Sequence, residues 1–297
     1  MGAGGTGSGM GTRPGMGAGS AGRPGAGGPA SGIGARPGMG AGGAGGPASG
    51  VGVRPGMGAG DIGAPGNNAA QAASGTYYHS PTALTAQSTA LRGAAATYPA
   101  YGAGMYGAYP NAWAPRSLAA TSVYANPGYG AVAATMGLAA NPMPYDYGSN
   151  VVAQPNNVYV NGDSAGTPED YSNQASQLAA TGQSAQPDDD TNWTPLGVFA
   201  IVEGDQTSSN DTFQLAVNPD GILRGNYHNI SSDDLENLAG SVDKTTQRAA
   251  WTIGSDKYPI YDAGIANLTK DATPLLVHTA PGQSRQMSLI RLPQPPQ

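Results

Sequence analysis

The chain has 297 residues, of which 48 are Gly and 25 are Pro, and only 11% are charged. This Gly and Pro content disfavours packing of the whole chain into one core, and the absence of Cys excludes disulfide frameworks and thiolate sites. Six Arg and one Asp give residues 1–145 a net charge of +5, whereas seven basic and 18 acidic residues give residues 146–297 a net charge of −11.

Residues 1–66 form a Gly/Arg/Pro-rich repeat with 28 Gly and no aromatic side chain. The sequence SGIGARPGMGAG (Ser31–Gly42) returns as SGVGVRPGMGAG (Ser49–Gly60). Burying every large apolar residue of this stretch would yield roughly 15–25 kcal/mol, whereas ordering its backbone costs on the order of 66–130 kcal/mol. We therefore predict a disordered arm. Its four Arg are too widely spaced for a nucleic-acid footprint, so no nucleic-acid partner is expected.

Residues 67–150 are rich in Ala, Tyr and Pro, and ten of the fifteen Tyr lie between Tyr77 and Tyr147. Gly and Pro interrupt every candidate element, which favours a low-complexity linker. The alternative is an adhesive segment whose aromatic faces stack on a cell-envelope protein, on polysaccharide or on another copy of the chain. The candidate interaction residues are Tyr98, Tyr101, Tyr106, Tyr109 and Trp113.

Residues 151–190 contain two local elements followed by an acidic linker. The sequence VYVNGDSA (Val158–Ala165) predicts a short strand and an Asn-Gly turn. The next sequence predicts one helix, with Thr167 as N-cap, Pro at the first helical position and Gly182 as the C-terminal stop. Such a short helix is marginal alone in water, so we expect it to dock on another element or to fray.

Residues 191–293 predict an all-β domain. Eight strand-like runs recur at short intervals, and several alternate apolar and polar residues, which is typical of a sheet with one wet face. Short turns such as Asn218–Gly221 would join neighbouring strands into an antiparallel meander, rolled up or closed as a barrel. The runs are Leu196–Val202, Thr212–Asn218, Ile222–Asn229, Leu238–Asp243, Gln247–Ile253, Tyr258–Leu268, Pro274–Thr279 and Arg285–Leu292.

The alternation also predicts the core of this domain. Large apolar residues that share the inward face of a strand should pack together. They are Trp193, Phe199, Ile201, Phe213, Leu215, Val217, Tyr227, Trp251, Ile253, Ile265, Leu275, Val277 and Leu289.

Three stretches resemble a family of short, secreted or surface-type planctomycete proteins, some of which are called "mu-protocadherin, putative cell-surface protein". They are Trp193–Asn229, Gly240–Gly254 and Ala263–His278, and VYVNG before the predicted helix is also similar. The resemblance implies an extracytoplasmic or cell-surface location and no demonstrated chemistry. No signal peptide is visible at Met1, so the location is an expectation from the resemblance alone.

Catalytic and cofactor motifs are weak. GDSAG (Gly162–Gly166) matches G-x-S-x-G, but the further βα units of an α/β hydrolase are missing, so Ser164 is interpreted as part of a turn. The G-x-G-x-x-G at Gly17–Gly22 lies in a Gly repeat without a preceding strand. Of the three His, His228 and His278 would form a metal site only if their strands met and supplied further ligands. We predict no catalytic, cofactor or metal site.

The sequence therefore predicts a non-catalytic structural or interaction protein of the cell envelope or cell surface. The alternative is a β-barrel that binds a small molecule, with a cavity lined by Trp251 and Tyr227. No run of apolar residues is long enough for a membrane span.

Overall fold

The computed structural model describes residues 81–115, 122–188 and 191–295. The predicted arm (1–66) and the first part of the predicted linker lie outside the described residues. The described part contains four α-helices, α1 to α4, and eleven strands, β1 to β11. In chain order they are α1 (Pro81–Gly93), α2 (Ala103–Ala108), α3 (Gly128–Met136), β1 (Val151–Gln154), β2 (Asn157–Val160), β3 (Asp163–Ser164), α4 (Pro168–Ser184), β4 (Thr194–Val202), β5 (Asp211–Val217), β6 (Ile222–Asn229), β7 (Asp234–Val242), β8 (Arg248–Ile253), β9 (Ile260–Gly264), β10 (Ala272–Ala280) and β11 (Gln283–Arg291).

Strands β4 to β11 form a closed antiparallel barrel, which confirms the predicted all-β meander. Each strand pairs with the next one along the chain, and β11 pairs with β4 to close the barrel. Closure pairs the backbone N–H and C=O groups that would remain unpaired at the edges of an open sheet. The largest difference from the predicted strands is in β9, because the predicted Tyr258–Leu268 run is interrupted by a 3₁₀ turn at Asn267–Thr269.

The turns follow the predicted chemistry. At the β5–β6 turn, the Gly221 N–H donates to the Asn218 carbonyl at 3.0 Å, and Gly221 has a φ of +87° that suits Gly. Between β2 and β3, Asn161 and Gly162 both have positive φ, as a type I′ turn requires. The small sheet β1–β2–β3 is therefore a local structure fixed by its turn.

Alternate residues of the barrel strands fill the interior. Most of the predicted core lies there, but Tyr227 and Ile253 are only partly buried at its margin. The prediction that Trp193 lies in the core is wrong. Trp193 is buried, but it does not belong to the interior cluster and instead contacts Trp113. Interior residues that the prediction left out include Leu196, Leu223, Leu238, Val242, Tyr261 and Leu268.

Helix α3 closes one end of the barrel. Val132 and Met136 belong to the same apolar cluster as the barrel interior, and Tyr129 and Leu138 pack against that cluster. This helix lies in the segment predicted to be a linker. The linker interpretation is therefore wrong for this part of the chain, where apolar side chains find a partner surface that the local sequence does not show.

Helix α4 docks on the outer wall over β7 and β8. Thr167 caps it as predicted, in a reciprocal capping box with Asp170. Its small residues Ala175 and Ala179 pack on Ala250 and Ile260 of the barrel. The helix also continues past Gly182, so the predicted stop at this residue is wrong.

Candidate functional site: the outer wall of the barrel

The outer face of strands β4 and β11 is apolar and is covered by the chain's own Tyr-rich segment. Val198, Ala200 and Val202 of β4 point away from the interior and pack with Leu91 of α1. Residues 98–113, which we call the strap, follow α1 and contribute Tyr98, Tyr101 and Met105 to the same apolar cluster. One feature of the sequence indicates that the outer face of β4 is covered. Strand β4 is apolar on both faces (LGVFAIV), a pattern typical of a strand that is buried on both sides.

The five predicted interaction residues all lie on the strap. Tyr98 and Tyr101 are buried, Tyr101 being only 2% exposed, whereas Tyr106, Tyr109 and Trp113 are partly exposed. The Tyr101 hydroxyl contacts the Thr212 hydroxyl at 2.8 Å and donates to the Thr212 carbonyl at 3.2 Å. Burial raises the pKa of the Tyr101 hydroxyl, which keeps it neutral. Tyr98 and Tyr101 are therefore buried by the chain's own fold.

Asparagine side chains on the barrel wall bind the backbone at the end of the strap. The Trp113 N–H donates to Asn226 Oδ1 at 2.9 Å and to Asn237 Oδ1 at 2.8 Å, and Asn226 Nδ2 donates to the Trp113 carbonyl at 2.8 Å. The Trp113 ring contacts the Trp193 ring edge-on, with centroids 5.0 Å apart. Because an amide side chain offers both a donor and an acceptor, Asn226 binds the backbone N–H and C=O of Trp113 in the way that a neighbouring strand would.

Tyr109 joins a second polar group at the β6–β7 turn. Its hydroxyl donates to Asp233 Oδ1, and His228 Nε2 lies 3.2 Å from the same oxygen. The hydrogen bonds from Tyr109 and His228 lower the pKa of the exposed Asp233 carboxyl. The arrangement fastens the strap to the rim of the barrel.

Aromatic rings fill the middle of the barrel. Phe213 contacts Tyr261 edge-on at a centroid distance of 4.8 Å, and Trp251 stacks on Tyr261 at 6.0 Å. Tyr227 lies nearer the end opposite α3, where its hydroxyl donates to Asp211 Oδ1 at 2.6 Å. The buried Trp251 indole nitrogen has no hydrogen-bond partner.

A charged cluster lies between the barrel wall and α4. Arg248 of β8 donates to both oxygens of Asp262 of β9, at 2.6–3.2 Å, and also donates to the Tyr171 carbonyl of α4 at 2.9 Å. Its guanidinium lies 3.5 Å from the centre of the Tyr171 ring. Burial alone would raise the pKa of Asp262, but the charge of Arg248, with hydrogen bonds from His278 and Arg248, lowers it to about 2.

The structure separates the motifs that the sequence singled out. Ser164 is exposed in β3, and its hydroxyl donates to Asn157 rather than to a base. His228 on β6 and His278 on β10 lie on opposite sides of the barrel, with three strands between them in either direction. Within the described ranges, no group of three or more potential metal ligands is found. None of the described helices has the length and apolar character needed to cross a membrane.

Comparison of the chain with protein-family models, with curated proteins and with solved structures finds no match.

Proposed function

We propose that this chain is a non-catalytic structural or interaction protein of the cell envelope or cell surface, in which the barrel is a folded anchor for the N-terminal arm. The arm would serve as a spacer or adhesive tether. The planctomycete resemblance supports the location. The expected partner is a cell-envelope protein or polysaccharide, or a second copy of the chain.

One observation carries this proposal: α1 and the strap bind the outer wall of the chain's own barrel through both apolar and polar contacts. Leu91 and Tyr101 bury apolar surface against β4 and β11, while Asn226 and Asn237 hold the backbone of Trp113. Pulling on residues N-terminal to α1 would therefore load a packed segment rather than a single loop. This is the attachment that a tether requires.

The test compares the full chain with a variant that lacks residues 1–80 and keeps every described element. We expect the full chain to bind a cell-envelope preparation from the source cells and the shortened chain to bind at least tenfold more weakly. A chain with residues 1–80 in scrambled order is the matched control for composition. Equal binding by the full and shortened chains, or a purely cytoplasmic pool on cell fractionation, would contradict the proposal.

A second candidate function is small-molecule binding at the end of the barrel opposite α3. The unpartnered indole nitrogen of Trp251 favours it, because buried polar groups without partners are rare in folded proteins. Tyr227 and Asp211 supply hydrogen-bonding groups near that end. A ligand that reaches Trp251 should change its fluorescence in a small-molecule screen, and this change should be absent in Trp251→Phe. A screen without such a response would remove this candidate.

A further inference from the structure

A hydrogen-bonded chain of three side chains crosses the outer wall at the β9–β10–β11 strands. Ser284 of β11 lies directly opposite His278 of β10 in the strand register, and its Oγ is 2.9 Å from His278 Nδ1. His278 Nε2 is 3.0 Å from Asp262 Oδ2. Asp262 and His278 are 0% exposed, whereas Ser284 is partly exposed. A serine that solvent can reach is thus linked through a histidine to a buried carboxylate.

The direction of each proton follows from the chemistry of the groups. Asp262 is ionised because of Arg248, so its carboxylate only accepts hydrogen bonds, and His278 Nε2 must donate to it. In a neutral imidazole the other nitrogen, Nδ1, is then an acceptor. When His278 is neutral, the hydroxyl of Ser284 therefore donates to Nδ1, which is the arrangement that lets a histidine take a proton from a serine nucleophile.

Two neighbours set how reactive this serine should be. Arg248 forms a two-pronged ion pair with Asp262 and so neutralises much of the charge that would stabilise a protonated His278. We therefore expect reaction with activated esters and not with amides. The N-terminus of α4 lies beside the β10–β11 turn, since a Cβ built on Gly282 would be 3.6 Å from the Glu169 nitrogen. The positive end of this 17-residue helix favours negative charge that develops nearby.

We propose that Ser284 is a covalent attachment site that accepts an acyl group from an activated ester. Ser284 Oγ bonds to the carbonyl carbon while its proton moves to His278 Nδ1. The bond between that carbon and the leaving oxygen then breaks, and His278 gives the proton to the departing alkoxide. The products are an ester on Ser284 and a free alcohol. This goes beyond the proposed anchor function, because it gives the barrel one covalent attachment point per chain.

The first test treats the full chain with p-nitrophenyl acetate and follows the intact mass and the modified peptide. We expect one acetyl group per chain at Ser284, formed at least tenfold faster than in the urea-unfolded chain. Ser284→Ala should abolish it, whereas Ser164→Ala, the same change at the exposed serine of GDSAG, should leave it unchanged. Acetylation that is equally fast in Ser284→Ala, or no faster than in the unfolded chain, would overturn the proposal.

A second test uses the absence of native Cys. Ser284→Cys and Ser164→Cys each introduce one thiol, and His278 should lower the pKa of the thiol at position 284 only. Alkylation by iodoacetamide at pH 7 should then be at least fivefold faster at position 284, although that position is less exposed than 164. The acceleration should disappear when His278→Gln is added. Equal or slower alkylation at position 284 would contradict activation by His278.

Discussion

Gly182 of helix α4 lies directly against Gly240 of strand β7, so close that a Cβ added to Gly182 would overlap the Gly240 carbonyl group. The contact brings the helix backbone onto the barrel wall. The contact extends to the preceding helical turn, where the Ser241 hydroxyl donates to the Leu178 carbonyl at 2.6 Å. Gly182 is thus a packing residue of the helix and not its terminator.

Replacing Gly182 by Ala should therefore destabilise the protein, even though Ala is the better helix former. We expect a loss of about 2–3 kcal/mol in the free energy of unfolding, because the added methyl group forces α4 away from β7. Gly107→Ala in α2 is the matched control. Its Cβ would meet nothing within 4 Å, so a neutral or slightly stabilising effect is expected. Urea unfolding of both variants measures the difference, and a neutral Gly182→Ala would contradict the assigned contact.

Met136 of α3 should be as important for stability as a residue of the barrel strands. Met136→Ala removes a side chain that is 2% exposed from the end of the interior, which should cost about 2–5 kcal/mol. Met143→Ala makes the same change at a partly exposed position and should cost less than about 1 kcal/mol. Equal costs in thermal or urea unfolding would mean that α3 does not close the barrel.

Asn226 should hold the strap in place. Asn226→Ala removes two hydrogen bonds to the Trp113 backbone and one to Gln214, so we expect a loss of about 1–3 kcal/mol and faster amide exchange along residues 98–113. Asn157→Ala is the control, since that side chain accepts only from the exposed Ser164. Unchanged exchange of the strap in Asn226→Ala would show that its apolar contacts alone fasten it.

The Asp262 carboxyl should make the fold sensitive to acid. Its pKa is about 2 in the folded state, against an ordinary value of 3.8. A carboxyl with a lowered folded pKa stabilises the protein above its unfolded pKa and loses that contribution as the pH falls through the folded value. Between pH 4 and pH 2, the wild-type protein should therefore lose on the order of 2 kcal/mol that Asp262→Asn does not lose.

Urea unfolding of both proteins at pH 5, 4, 3 and 2 measures this difference. Asp262→Asn should be less stable than the wild type at pH 5, because it leaves Arg248 buried without its charged partner, and the two curves should converge toward pH 2. Parallel curves would show that Asp262 is not the acid-sensitive group.

Strand positions, turns and most of the core could be predicted because they depend on local rules. Period-2 alternation predicted a strand at Ile222–Asn229, which are the bounds of β6, and the sequence Asn218–Gly221 predicted the turn before it. The N-cap of α4 was equally local, because Thr167 and Asp170 satisfy each other within one turn. These elements therefore depend little on contacts with distant parts of the chain.

The strap and α3 could not be predicted, because their stability comes from surfaces formed by residues more than 50 positions away. Tyr101 contacts Thr212, 111 positions away, and Met136 packs against an interior that eight strands form together. The Ser284–His278–Asp262 chain was missed for the same reason. These side chains meet only because neighbouring strands pair in one particular register, and no spacing of residues along the sequence indicates that register.

The sequence by itself determined that a repetitive, Gly-rich N-terminal part precedes a C-terminal part rich in large apolar residues that alternate with polar ones. This contrast in apolar content decided where a barrel could form. Only the tertiary structure decided what the barrel's outer wall binds. A side chain's inward or outward direction follows from its own strand, whereas its neighbour across the wall depends on closure of the whole sheet.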